Sequence, residues 1–202
     1  MTSSKSAPSR EAAKKASKEA LVKSAMALFP VKGLDVSLDD ICAHAGYTRG
    51  AFYVHFRNRD ELTFEVMGRV GEEWLDSIFE DAREKEGDLI GLMQRFLGEL
   101  MRGTYPISRN GIRPYQLLDA CARSPAIHDR YIEFVRDSIR RLAVYVTNSQ
   151  MKKQIRPDLD SEQLASIMIT VVIGTHTLYD LDYPIDLART SATLLQLLAV
   201  NN

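Results

Sequence analysis

The sequence predicts an all-α protein of about nine helices, a small N-terminal unit of three followed by a larger helical bundle. Three observations carry this. From about Glu11 onward, apolar residues recur at spacings of three and four. No segment alternates apolar and polar residues as a half-buried strand does, and no fixed-period repeat occurs. Glycine, proline and Ser, Thr, Asn or Asp fall between the periodic runs, where helices stop and start. A chain of 202 residues can hold one small module and a second domain with a sizeable core.

Residues 1–10, rich in Ser, Lys, Pro and Ala, read as a disordered arm. The first helix begins near Glu11. Pro30 lacks an amide proton and crowds the carbonyl four residues back, a cost of about 3 kcal/mol in a helix interior. Near the carboxyl end the cost should be smaller, and the helix is expected to end or kink near Phe29. Ser37 can cap the next helix, with Asp39 and Asp40 placed against its positive end. Leu38, Ile41 and Ala45 share its inner face, and Gly46 can take the left-handed conformation that ends it. Thr48 then caps a helix running to about His55. Phe52 and Phe56, four apart, turn inward, and Ala51 lets the two helices approach. Thr48, Arg49, Gly50, Tyr53 and His55 occupy the other sides. Asn58 caps the fourth helix, with Glu61 in the box position three residues on and Arg59 in its first turn.

Two short amphipathic helices joined by a glycine turn, the second carrying hydroxyl, guanidinium, phenol and imidazole groups, form a helix-turn-helix suited to the major groove of DNA. Residues 11–58 are read as that DNA-binding domain. Taken singly, Tyr53 reads as a half-buried amphipath, His55 as a surface imidazole, and Arg49, Arg57 and Arg59 as solvated charges. Their order and spacing together carry the functional reading.

Beyond residue 58 the helices continue. Leu62, Val66, Val70, Trp74, Ile78 and Ala82 step by four along one long helix that Gly87-Asp88 breaks. Leu89 to Arg102 follows, then a loop from Gly103 to Pro114 and a short helix from Tyr115 to Ala122. Ser124-Pro125 opens a further helix in the favoured order. Asp160 or Ser161 caps a strongly apolar one. Tyr183-Pro184 ends that region, and Asp186 opens the last helix. The run Ile167 to Ile173 is apolar on almost every side, as in a helix buried all round. In so small a body a second copy of the chain would supply that cover, Gly174 allowing close approach; a central helix within a monomer is the alternative.

The net charge of −1 conceals an asymmetry: residues 1–60 hold 10 Lys and Arg against 6 Asp and Glu, whereas residues 61–202 hold 16 against 21. A cationic head on an anionic body suits a protein that meets DNA at one end. Lys5 and Arg10, with Lys14, Lys15 and Lys18, either graze the DNA backbone or merely keep the arm in solution. Cys42 and Cys121 lie far apart without a CxxC pair, so neither a zinc site nor a disulfide framework is expected. They read as two reduced thiols in a cytoplasmic protein, a redox sensor being the lesser alternative. No apolar signal-peptide core stands at the start, and no run approaches the roughly 18 apolar residues of a membrane span.

Lys18 to Met67 resembles the N-terminal domain of TetR-family transcriptional regulators. The resemblance lies in Ala25-Met26-Ala27-Leu28-Phe29 with Lys32-Gly33, in Ile41 to Tyr47, in Thr48 to Phe56, and in Asn58-Arg59-Asp60-Glu61-Leu62. It implies that Tyr53, His55 and Thr48 bind phosphates and that Arg49 and Gly50 lie nearest the bases. Arg59 stands where the family usually has a phosphate-binding lysine, and Ser37 joins the same DNA-facing set. It also implies that residues 59–202 form a helical ligand-binding and dimerisation domain. The last two helices would pair across a dimer through Ile167, Val171, Gly174, Leu178, Leu194 and Leu198. A pocket for a small-molecule effector, apolar or aromatic, would be lined by Trp74, Phe96, Met101, Tyr105, Tyr115, Leu118, Cys121 and Phe134, with His176 and Tyr179 near it. Most of these positions, at helical spacing, are more often plain core, and His176 beside the interface reads as structural or dimer-contacting.

The resemblance thus implies a repressor that binds an inverted-repeat operator of double-stranded DNA as a homodimer and leaves it when an effector binds. The alternative is an architectural factor, or one regulated by a partner protein without a small ligand. An enzyme is disfavoured: no nucleophile stands with a base at motif spacing, the four histidines are scattered, and no glycine-rich phosphate loop or metal cluster occurs. No cofactor is expected.

Overall fold

The computed structural model of the chain describes residues 9–79, 88–102 and 112–200. All regular structure among them is helical: α1 (Arg10–Lys32), α2 (Leu38–Ala45), α3 (Arg49–Tyr53), α4 (Arg59–Phe79), α5 (Leu89–Arg102), α6 (Pro114–Arg123), α7 (Pro125–Met151), α8 (Ser161–Asp180) and α9 (Leu187–Leu198). Most of the expected arm, and the expected breaks at Gly87 and across residues 103–111, lie outside the described residues.

Short polar side chains start most of these helices. Ser9, Asn58, Asp160 and Asp186 each accept a hydrogen bond from the amide three residues on, at 3.2, 2.9, 2.8 and 2.9 Å. Ser124 makes no such bond; proline in the first turn of α7 sets that start instead. Glu61 does not close a box with Asn58. Its carboxylate takes the Arg57 amide at 2.6 Å, one residue earlier.

α1 runs through Pro30 to Lys32, so the expected stop near Phe29 does not occur. Only two helical residues follow the proline, so a single carbonyl loses its partner within the last turn. Gly33, at φ 85°, then closes the end by donating its amide to Phe29 O at 2.9 Å. Fully buried Phe29 anchors that turn.

Two cores lie along the chain. The first joins Leu21, Ala25 and Phe29 of α1 to Ile41, Phe52, Phe56 and the start of α4 at Leu62 and Val66. Leu117 and Ala120 of α6 and Ile127 of α7 complete it from the body. The second gathers Leu75 and Phe79 of α4 with α5, Tyr145 and Val146 of α7, Met168 of α8 and Leu198 of α9. α4 therefore has one end in each core.

Polar contacts tie the same elements together. Between α1 and α4, Lys18 meets Glu65 at 3.1 Å and Arg69 meets Glu19 at 2.6 Å. Between α4 and α7, Arg130 meets Glu72 at 3.2 Å and Arg141 meets Asp76 at 2.9 Å. These pairs are largely solvated and add little stability. They fix the register of α4 between its neighbours.

Candidate nucleic-acid interface

The α2–α3 turn follows from Gly46. At φ 75° it lets the amides of residues 46 and 47 reach back to Ala43 O and Cys42 O, at 3.1 and 2.9 Å. Ser37 Oγ accepts from Asp40 N at 3.1 Å and Thr48 Oγ1 from Ala51 N at 3.3 Å, fixing the start of each helix. α3 is shorter than its spacing suggested and ends at Tyr53 rather than His55. The His55 amide bonds Phe52 O at 2.9 Å in a tighter turn, which carries Phe56 down beside Phe52 into the core. Phe52, fully buried, holds α3 in place while Tyr53 stands 55% exposed.

The residues expected to face DNA come together here, some of them already partnered. Arg49 Nε lies 3.3 Å from Asp39 Oδ1, which holds its guanidinium along α2. Gly50 has open space around it apart from Thr48 Oγ1, 3.6 Å from where a Cβ would stand. His55 Nε2 meets Ser17 Oγ of α1 at 2.8 Å. Burial, and then the positive charges of Lys14 and Lys18, hold this imidazole below its usual pKa. Arg59 is turned to Asp35, donating to its carbonyl at 3.0 Å and its carboxylate at 3.2 Å. A phosphate at this point has to share or displace that contact.

Sequence reasoning missed Asp35 itself. Arg123, at the end of α6, reaches the same carboxylate with two nitrogens at 2.8 and 2.9 Å. Those bonds, with the charges of both arginines, hold the Asp35 carboxyl below its usual range. One side chain in the α1–α2 loop thus joins the start of α4 to the end of α6, from positions 88 residues apart that no local pattern reveals. Ser17 and Ser24 were missed as well. Ser24 Oγ donates to Ile41 O at 2.8 Å and meets His44 Nδ1 at 3.0 Å, pinning α2 to α1. Their signal was available: they stand at helical spacing within the stripe that carries Leu21 and Ala25.

Both thiols are pushed up by burial, Cys42 further by Asp39, so neither is a ready thiolate. Among the described residues no group of three or more His, Cys, Asp or Glu is placed to hold a metal, and no helix is long and apolar enough to cross a membrane.

Cavities open among the described residues of the body. A cleft of about 950 Å³ between α4 and α7 has Val70, Leu75, Leu117 and Phe134 among its apolar residues and a rim of arginines and acids. Gly71 makes room for it: a Cβ there would stand 2.9 Å from the Phe134 ring. A cavity of about 110 Å³ among α5, α7, α8 and α9 is almost wholly apolar and includes Phe96. A third, of about 40 Å³, is lined by Phe134 and His176. Burial holds His176 neutral, its pKa lowered to about 4.

Several expected pocket residues lie elsewhere. Tyr115 and Leu118 are 52% and 51% exposed and line none of these cavities, because α6 turns Leu117 and Ala120 inward instead. Cys121 packs against the first core, away from the cavities. Tyr179 is partly exposed and also lines none. Tyr105 and the side chains of Trp74 and Met101 lie outside the described residues. The charged rim of the large cleft was missed because its arginines and acids read as an ordinary wet helix face.

α8 is not buried all round. Leu164, Ala165 and Met168 face the core, whereas Ile167 is 58% exposed and Val171 and Leu178 are also exposed. Around Gly174 a Cβ would meet nothing within 4 Å. Leu198, expected on the outer face of α9, is instead in the core at 3% exposure, and its carbonyl accepts from Arg156 N at 2.9 Å. That bond fixes the rotation of the helix end, and Leu197, one residue back, takes the outward position at 68% exposure. Leu194 lines the apolar cavity and packs on the core.

Residues 21–66 match the family model of bacterial regulatory proteins, tetR family, and residues 116–194 that of the tetracyclin repressor-like C-terminal domain. Solved structures share the fold. NemR of E. coli, in its reduced form, superimposes with a TM-score of 0.78 at 14% identity, covering 92% of this chain and 98% of its own. SmeT, the repressor of the Stenotrophomonas maltophilia multidrug efflux pump SmeDEF, solved as a complex with triclosan, gives 0.70 at 24% identity, covering 90% and 89%. A protein of Saccharomonospora viridis solved with choline gives 0.69 at 19% identity, covering 81% and 85%.

Proposed function

The chain belongs to the TetR family of bacterial regulatory proteins, DNA-binding transcriptional regulators, and from that premise we propose that it is a repressor acting as a homodimer. It holds an inverted-repeat operator and is released when a small effector enters the body. The observation that carries this reading is the pairing, in one chain, of an exposed polar α3 on a rigid turn with an uncovered apolar face on α8.

One helix-turn-helix touches too few base pairs to be selective. A two-fold pair places two recognition helices about 34–36 Å apart, one helical repeat of duplex. In that arrangement Thr48, Tyr53 and His55 meet phosphates, Arg49 and Gly50 face base edges, and Ser37 and Arg59 flank them. Ile167, Val171, Gly174 and Leu178, with Leu197 in place of Leu198, cover one another across the axis. Neutralising about 6–10 phosphates should cost roughly 10³–10⁵ in affinity between 50 and 200 mM salt.

Phe134, shared by two cavities, and Phe96 support an apolar or aromatic effector body, while the charged rim of the large cleft suits a polar group at one end of it. The bound states of SmeT and the S. viridis protein, with triclosan and with choline, support a small-molecule site on this fold. An effector wedged between α4 and α7 moves α4 against α6, and Asp35, clasped by Arg59 and Arg123, passes that movement to the head. A preference of about 1–3 kcal/mol for the non-binding spacing weakens operator affinity roughly 5–150-fold.

The test is titration of a labelled inverted-repeat duplex from the DNA upstream of the gene. Saturable binding by two chains per repeat at low salt is expected, and no binding would end the reading. Tyr53→Phe should weaken binding to every sequence alike, whereas Arg49→Ala should relax base preference at one position per half-site.

A further inference from the structure

The Ser17–His55 contact has a consequence for how the head meets a phosphate. Ser17 lies almost buried on α1, and its hydroxyl makes two contacts, with Lys14 O at 2.9 Å and with His55 Nε2 at 2.8 Å. A serine hydroxyl has one proton. Lys14 O is a carbonyl and can only accept, so that proton is committed to it. With the hydroxyl proton placed on Lys14 O, Nε2 is the donor to Ser17 Oγ, and the neutral ring has its lone pair on Nδ1. Among the described residues nothing bonds Nδ1, which is also not among the buried polar atoms left without a partner; it therefore reaches solvent.

A lone pair repels an anionic phosphate oxygen; only an N–H attracts it. We propose that Ser17 is the positioning residue for His55, holding Nε2 inward so that a DNA phosphate is met by Nδ1 only after the ring gains a proton, and that each protomer therefore takes up one proton on binding duplex. The proton comes from solvent, adds to Nδ1 and forms an N–H···O–P bond, and no other bond breaks. The proposal rests on the reading of His55 as a phosphate contact.

The surroundings fit a ring that is neutral in the free chain and charged in the bound one. From α1, Lys14 and Lys18 face it, and with burial they hold its pKa below the usual value. From α4, Glu65 is engaged by Lys18 and Arg69, at 3.1 and 3.2 Å, and Glu61 by Arg57, so neither carboxylate neutralises the ring beforehand. On its own segment the ring edge meets Phe56, 6.3 Å between centroids, and Arg57 points to Glu61. An incoming phosphate supplies the missing negative charge and raises the pKa. Because the pKa is low free and raised bound, affinity is highest below the free value and falls as pH rises through the window between the two. The slope approaches one decade per pH unit per protomer, as linkage requires.

Binding of the full chain to a labelled mixed-sequence duplex of about 40 base pairs, at fixed low salt from about pH 5.5 to 8, reads that slope without knowledge of the operator. The wild type should lose affinity as pH rises. His55→Asn, which presents an N–H at every pH, should bind with about one proton per protomer less dependence. Ser17→Ala frees the ring to present Nδ1–H while neutral and should flatten the slope likewise, whereas Ser17→Thr, which keeps the hydroxyl, should restore it. Imidazole nitrogen NMR of the free protein should show Nε2–H in the wild type and a mixture in Ser17→Ala. A wild-type slope retained by Ser17→Ala, or an Nδ1–H ring in the free wild type, would overturn the proposal even where DNA is bound normally. Absence of binding at every pH would instead remove the DNA reading and proton uptake with it, while the NMR comparison still isolates the positioning role of Ser17.

Discussion

Both the α2–α3 face and the α8 face of this chain meet water, with opposite chemistry. The first is a plate of capped turns presenting an exposed phenol, an imidazole held by Ser17 and a guanidinium held by Asp39. The second is a row of branched apolar side chains with open space at Gly174. The polar face asks for an anionic partner whose groups compete with Asp39 and Asp35. The apolar face asks only for exclusion of water, which a second copy supplies by symmetry. On the proposed reading the difference teaches that the two surfaces do different work: one sets what is recognised, the other how far apart two recognisers stand.

That contrast can be broken from either side. Phe52→Ala removes the fully buried ring under α3 and should destabilise the head by about 3–5 kcal/mol. Denaturant melts would show it, and nearly all duplex binding should go while the α8 face still pairs. His176 tests the body instead. Its pKa in the fold is about 4 against an ordinary 6.5, so its contribution to stability is whole above pH 6.5 and is lost as pH falls toward 4. The loss is on the order of 3 kcal/mol, and a His176→Met variant should lack that part of the acid slope in thermal melts.

Placing like charges in the pairing face comes next. Val171→Glu should weaken self-association by about 2 kcal/mol or more, roughly 30-fold, by sedimentation. The isolated head should keep its weak affinity for non-specific duplex while the paired affinity falls. The smallest effect belongs to the link between the regions. Arg123→Ala breaks a solvated pair and should leave the melting midpoint almost unchanged. If Asp35 passes movement from α6 to α4, the same variant should nonetheless lose most of the effector's influence on DNA affinity.

The head was largely legible in the sequence and the body only in part, for a physical reason. In α2 and α3, caps, turn glycine and inward aromatics are local and each sits within four residues of its partner, so spacing alone places them. Pro30 marks the neighbourhood of the end of α1 but not its last residue, because a proline this close to the end costs little and the helix runs two residues past it. Leu198 was misassigned because helical periodicity gives a stripe and not its rotation, which the Arg156–Leu198 bond decides. Tyr115, Leu118 and Cys121 went astray likewise, since composition identifies pocket-forming residue types without saying which side of α6 faces inward. Asp35 with Arg123 joins residues far apart in the chain, beyond any pattern of caps or stripes, whereas the α1 stripe marks Ser17 as inward-facing without revealing its partner His55.

The most direct test of the whole account is sedimentation of the purified chain, alone and with an inverted-repeat duplex, at low salt. The expected result is a two-chain species without DNA and two chains per repeat with it, lost together in Val171→Glu. A single chain at high concentration, or a two-chain species that leaves duplex unbound, would contradict it.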